Sequence, residues 1–272
     1  MLKTRIITAV ALLAVLLLVI YSGSFVAFAV LTVAFFAAAA WECLRLFGNK
    51  SPQVGAALWT AAFAWLIYSG SFKQSVFLAA MCVAIWALRL TPSLALGLPA
   101  MNSFANRLLT GIYGIAILGA FIALLVLYNH SALYMFSVMA IVWIADIGAY
   151  FSGKAFGKRK LAPSISPGKS WEGAIGGGIL VLLAAVASMA VPALGDTFAV
   201  RLYLTWGVAG FLAILVVMVA ASIVGDLFES QLKRRAAMKD SSNQLPGHGG
   251  VLDRIDALIP TLPLAALITY WM

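Results

Sequence analysis

The amino-acid sequence predicts an all-α polytopic integral membrane protein with about nine transmembrane helices, and three observations carry that expectation. First, 64% of the 272 residues are hydrophobic and only 10% are charged, whereas soluble domains carry roughly 25% charged residues. So few charges cannot cover the surface of a soluble fold of this length. Second, apolar runs recur at about the 20 residues that a helix needs to cross a bilayer. Third, Lys and Arg fall almost entirely on one side once those runs are threaded through a membrane. The abundance of Leu, Ile, Val and Phe excludes a disordered chain.

The elements follow in order. After Lys3-Thr4-Arg5, the apolar run 6–21 imitates a secretory signal. It lacks a small-residue cleavage site and hydrophobicity resumes at once after Ser24, so it reads as a retained first span. Span 25–47 follows the Ser22-Gly23-Ser24 turn, and Gly48-Asn49-Lys50-Ser51-Pro52 separates it from 54–70. Ser69-Gly70-Ser71 precedes 74–89, span 108–128 comes next, and Asn129-His130-Ser131 divides it from 132–152. Spans 172–193, 201–225 and 251–271 complete the set. No internal repeat is visible. Cys43 and Cys82 lie in apolar stretches with no CxxC or other metal spacing, so they read as buried thiols.

The net charge of +9 could suggest nucleic acid in a soluble protein. Here it reads as basic cytoplasmic loops, with no nucleic-acid partner. With a cytoplasmic N-terminus and nine crossings, only Lys73 and Arg201 of the 18 Lys and Arg residues fall outside. Acidic residues are uneven too: Glu42 alone precedes Asp146. The chain therefore reads as a single membrane domain, 1–272, in which 1–140 is mainly scaffold helices and 141–272 is the working part.

Two polar segments carry the chemistry. Segment 146–172 combines five cations, turn glycines and the hydroxyls of Ser164, Ser166 and Ser170, a composition suited to phosphate. A solvated basic loop touching anionic headgroups would have the same composition. Gly168-Lys169-Ser170 imitates the tail of a phosphate-binding P-loop, but Pro163 stands where its first glycine belongs, so that reading fails. Asp146 and Glu172 stand at the ends of apolar spans, and Glu172 suits a helix N-terminus. Gly173 and Gly177 form a GxxxG step that favours close helix packing.

In the second segment, Asp226 closes a span and Glu229 follows one turn later. Lys233-Arg234-Arg235, Lys239-Asp240, Pro246-Gly247-His248-Gly249-Gly250 and Asp253-Arg254-Ile255-Asp256 come after. Carboxylates at the ends of two helices, flanked by cations, suit a hard metal with phosphate oxygens. Mg²⁺ typically takes one or two carboxylates and fills its shell with water and phosphate. An interfacial ion-pair network is the other reading of the same residues. His130 is expected in an outer loop with no partner nearby.

The run from Ser230 to Asp256, with Lys233-Arg234, Lys239-Asp240, Leu245-Pro246-Gly247-His248-Gly249-Gly250 and Asp253-Arg254-Ile255-Asp256, resembles the signature of the phosphatidate cytidylyltransferase (CDP-diacylglycerol synthase) family. Ser164-x-Ser166-Pro167-x-Lys169-Ser170-x-Glu172-Gly173 and Asp146-x₂-Ala149-Tyr150-x₂-Gly153 resemble two further stretches of that family. Ala257 stands where the family has Ser. The resemblance implies transfer of a cytidylyl group from CTP to phosphatidate, with Mg²⁺ and room for a second metal. It implies metal ligation by Asp226 and Asp253 with Asp256 in support, all three counted with Lys169 as catalytic. Substrate contacts are expected from Ser166, Lys169, Ser170, Lys233, Arg234, Lys239, His248 and Arg254. A bacterial inner (plasma) membrane location, an active site on the cytoplasmic face and a homodimer are compatible with it. A CTP-using polyprenol or phytol kinase would share the phosphate chemistry but move the γ-phosphate. A transporter of anionic lipids would want basic loops as well, yet it would place ionisable groups near the midplane.

Overall fold

The computed structural model describes residues 2–272, with side chains throughout except at positions 2–6, 9, 73 and 74. Met1 and the side chains of Lys3, Arg5 and Lys73, which entered the charge count, lie outside the described residues. Helical backbone lies within each segment that hydropathy selects, though 251–271 is broken at 256–257 and 172–193 leaves the α-helix after Met189. The helices are α1 (Leu2–Tyr21), α2 (Phe25–Leu46), α3 (Pro52–Tyr68), α4 (Val76–Leu96), α5 (Phe104–His130) and α6 (Ala132–Phe156). A hairpin of β1 (Lys160–Ala162) and β2 (Ser166–Ser170) follows, then α7 (Trp171–Met189), α8 (Phe198–Arg235), the single turn α9 (Leu252–Ile255) and α10 (Leu258–Thr269). Among the described residues, α2, α4, α5, α6, α7 and α8 are long and apolar enough to cross a membrane.

Local sequence explains the irregular points. Pro92 has no N–H, and the turn before it, Trp86–Leu90, widens to a π-helix in which Thr91 N–H reaches back to Trp86 O. Gly207 takes φ 64°, which interrupts α8. Beyond that kink the helix runs unbroken to Arg235 and rises about 42 Å at ~1.5 Å per residue. A hydrocarbon core is about 30 Å thick. Upright, the helix is longer than that core is thick.

Two expectations change here. Asp226 does not end its helix: α8 continues for more than two further turns through Glu229 and Lys233. The i, i+4 ion pair between these two residues extends the helix through what composition marks as loop. The basic segment before α7 is a short antiparallel hairpin, pairing Lys160 with Ser170 and Ala162 with Ser166. Ser170 ends it and caps α7 by accepting from Gly173 N–H at 3.2 Å.

Helices α6 and α7 pack backbone to backbone, because a Cβ on Gly148 would stand 2.9 Å from Gly177 Cα. That is the close packing the GxxxG step anticipates. Trp86, Tyr113 and Phe228 tie α4, α5 and α8 together with ring centroids 4.9–6.3 Å apart. Helix α10 is buried along nearly its whole length, including Leu258, Ile259, Leu262 and Ala265. It is the centre of the bundle, which an all-round apolar sequence allows.

Candidate active site

Helix α6 turns Asp146, Ala149, Tyr150 and Gly153 to one side, at i, i+3, i+4 and i+7. Opposite them α8 turns Val219, Ile223 and Asp226, while β2 supplies Ser166, Lys169 and Ser170. The small residues on α6 and α7 leave a cavity of about 490 Å³ between these elements. Lys169 Nζ lies 2.5 Å from Asp226 Oδ2, each side chain only about a quarter to a third exposed. Ser230 Oγ donates to Asp226 Oδ1 at 3.2 Å.

A second charged group adjoins the first along α8. Lys233 Nζ donates to Glu229 Oε2 at 2.6 Å and to Asp253 Oδ1 at 2.7 Å. Asp253 Oδ2 accepts from Ser241 N–H and Oγ, both at 2.9 Å, and from Gly250 N–H at 2.8 Å. Lys233 and the loop donors together satisfy this carboxylate. Asp256 sits between the two groups, in the link from α9 to α10.

The neighbourhood thus holds the carboxyl groups of Asp146, Asp226, Glu229, Asp253 and Asp256 against the ammonium groups of Lys169 and Lys233. Glu229 Oε1 is buried without a hydrogen-bond partner among the described residues. Carboxyl groups outnumber ammonium groups in this partly buried place, and a divalent cation would fit such a set. Among the described residues no three His, Cys, Asp or Glu side chains form a ready cage. The donor set therefore fits an ion that draws most of its shell from water and substrate phosphates, as Mg²⁺ does.

The other expected site residues lie elsewhere. Arg234 Nε donates to Ile165 O at 3.4 Å and ties α8 to the hairpin turn. Arg254 donates from Nε to His248 O at 3.0 Å, and both residues line a separate, mostly apolar cavity of about 450 Å³ beside α1 and α2. Lys239 is exposed and makes no ion pair among the described residues. Glu172 accepts from Lys158 and Arg159 N–H at 3.1 Å, so it braces the hairpin base. His130 does have a partner: Nε2 lies 3.0 Å from Asp196 Oδ1, brought there from 66 positions away. Asp146, read from sequence as an ionisable group at a span end and as the start of a family-like stretch, lies ten residues before the end of α6, and its place in the cavity comes from the face of that helix.

The chain matches, over residues 3–272, the model of a family described as the cytidylyltransferase family. It is 36% identical over 298 residues to a phosphatidate cytidylyltransferase of Haemophilus influenzae, covering 100% of both chains. A phosphatidate cytidylyltransferase of Pseudomonas aeruginosa is 42% identical over 278 residues, covering 99% of this chain and 97% of the relative. One from Bacillus subtilis is 41% identical over 143 residues, about half of each chain.

Proposed function

The chain belongs to the cytidylyltransferase family, and from that membership, with full-length relatives named phosphatidate cytidylyltransferase, we infer that it converts CTP and phosphatidate to CDP-diacylglycerol and pyrophosphate. The observation that carries the chemistry is the cavity shared by Lys169 and Asp226. A phosphatidate phosphate oxygen attacks the α-phosphorus of CTP, a new P–O bond forms, and the bond to the β-phosphate oxygen breaks. The electron pair leaves with pyrophosphate. No protein nucleophile is required, so alignment and neutralisation of phosphate charge supply the acceleration.

In this reading Lys169 meets phosphate oxygens from the cavity wall, and Ser166 and Ser170 orient them. Arg234, Lys239, His248 and Arg254 serve anionic groups arriving from the surface. Asp226 and Asp253 are the carboxylates for Mg²⁺, with Asp256 in support; the metal would supply neutralisation of charge on the transferring phosphates. What supports this is the surplus of carboxylates over cations around α8. Lys169 and Lys233 hold the charge balance of Asp226 and Asp253 in the structure.

The test separates cytidylyl transfer from γ-phosphate transfer. Purified protein given CTP and phosphatidate is expected to release pyrophosphate and CDP-diacylglycerol in equal amounts, and none without the lipid. Release of CDP in place of pyrophosphate would make it a kinase.

We also place the cavity on the cytoplasmic face, with nine crossings and a cytoplasmic N-terminus. The near one-sided Lys and Arg distribution supports this. Reporter fusions at Lys50, Gly157 and Gln244 are expected to score cytoplasmic, and one after Met272 external. A cytoplasmic C-terminus would remove one crossing.

A further inference from the structure

Glu42, the one acidic residue before Asp146, lies near the end of α2 and is fully buried. A carboxylate in a spanning helix is costly unless donors surround it. Here each oxygen accepts one backbone N–H and has a serine hydroxyl within hydrogen-bond distance, the single Ser241 proton being shared between Glu42 and Asp253. Oε1 takes Ser242 Oγ at 2.5 Å and Val251 N–H at 3.0 Å. Oε2 takes Ser241 Oγ at 3.1 Å and Leu252 N–H at 2.6 Å. These donors come from the two ends of the loop joining α8 to α9, so one side chain from the first half of the molecule holds that loop closed.

The same clasp reaches the candidate active site. Ser241 Oγ lies within hydrogen-bond distance of both Glu42 and Asp253, and Ser241 N–H and Gly250 N–H donate to Asp253 Oδ2. Gly250 is required by the fit: a Cβ there would overlap the Ser241 hydroxyl and the Glu42 carboxylate. We propose that Glu42 is a positioning residue that fixes the 241–252 segment, and through Ser241 and Gly250 the Asp253 carboxylate, for cytidylyl transfer.

The inference rests on the reading of Asp253 as an active-site carboxylate, and its test separates the two. Glutamine cannot replace Glu42, because its NH₂ must face either Val251 N–H or Leu252 N–H, donor against donor. Gly250→Ala displaces the carboxylate while leaving every charge and donor in place. Both variants are expected to raise deuterium uptake in 241–252 and leave α5 unchanged. Both should lower kcat at least tenfold with KM for CTP within threefold. Adding Glu42→Gln to Asp253→Asn should lower kcat less than twofold further, as residues acting together are non-additive. Wild-type kcat in both single variants would overturn the proposal. So would uptake that rises through the whole bundle in both, which is loss of fold. If wild-type protein releases no pyrophosphate from CTP and phosphatidate, the reading of the site falls, and loop-confined uptake still reports on the clasp alone.

Discussion

Asp226→Asn and Asp253→Asn are each expected to lower pyrophosphate release at least a hundredfold, about 2.7 kcal/mol of transition-state stabilisation, while the protein inserts and purifies normally. Asn keeps the shape of each side chain and removes the charge on which a hard cation depends. Asp226 would lose its pairing with Lys169 across the cavity. Asp253 would lose its pairing with Lys233 and present an amide to Ser241 and Gly250. If the two carboxylates serve one Mg²⁺, the double variant is little worse than either single one, and raising Mg²⁺ partly restores the single variants. Asp196→Asn is the control. That carboxylate sits before α8, held below the usual range by His130 and then Arg201. Most of the length of α8 separates it from Asp226. Full activity of Asp226→Asn or Asp253→Asn at ordinary Mg²⁺ would leave the cluster an interfacial ion-pair network.

Lys169→Ala should cut kcat/KM at least tenfold, about 1.4 kcal/mol. The ammonium is the cation that β2 delivers into the cavity, and its partner Asp226 would be left without a counter-charge at 2.5 Å. Lys169→Arg should recover only part of the loss, since a planar fork does not occupy the place of a compact ammonium. Arg201→Ala, a cation at the other end of α8, should stay within twofold of wild type. Equal, small effects at both positions would reduce 153–171 to a solvated basic hairpin.

Much of the architecture was legible because it depends on local composition. A run of apolar residues is helical in a bilayer whatever lies next to it, since only then are its backbone groups satisfied. The helices accordingly stand where hydropathy puts them, and the expected small-residue contact joins Gly148 to Gly177. The end of α8 was not legible: charge density marks 226–235 as loop, and the Glu229–Lys233 pair that keeps it helical reads equally as surface charge. The hairpin at 160–170 was hidden for a similar reason, its strands being short and polar.

The candidate site divides along the same line. Sequence by itself sets the membrane as the setting and marks two polar segments, because polarity and charge are properties of the chain read in one dimension; the resemblance of those segments to a known family is what singles out Lys169, Asp226, Asp253 and Asp256 as expected site residues. Only the tertiary structure decides who meets whom. It sets Asp226 against Lys169, gives Asp253 to Lys233, and seats His248 and Arg254 at a different cavity. It makes α10 the buried centre and turns the lone Glu42 of the first half into the anchor of the loop around Asp253. Those pairings join residues as much as 210 positions apart. Which partners meet is set by how closely helices pack and which faces they turn to one another, and no local spacing in the sequence carries that information.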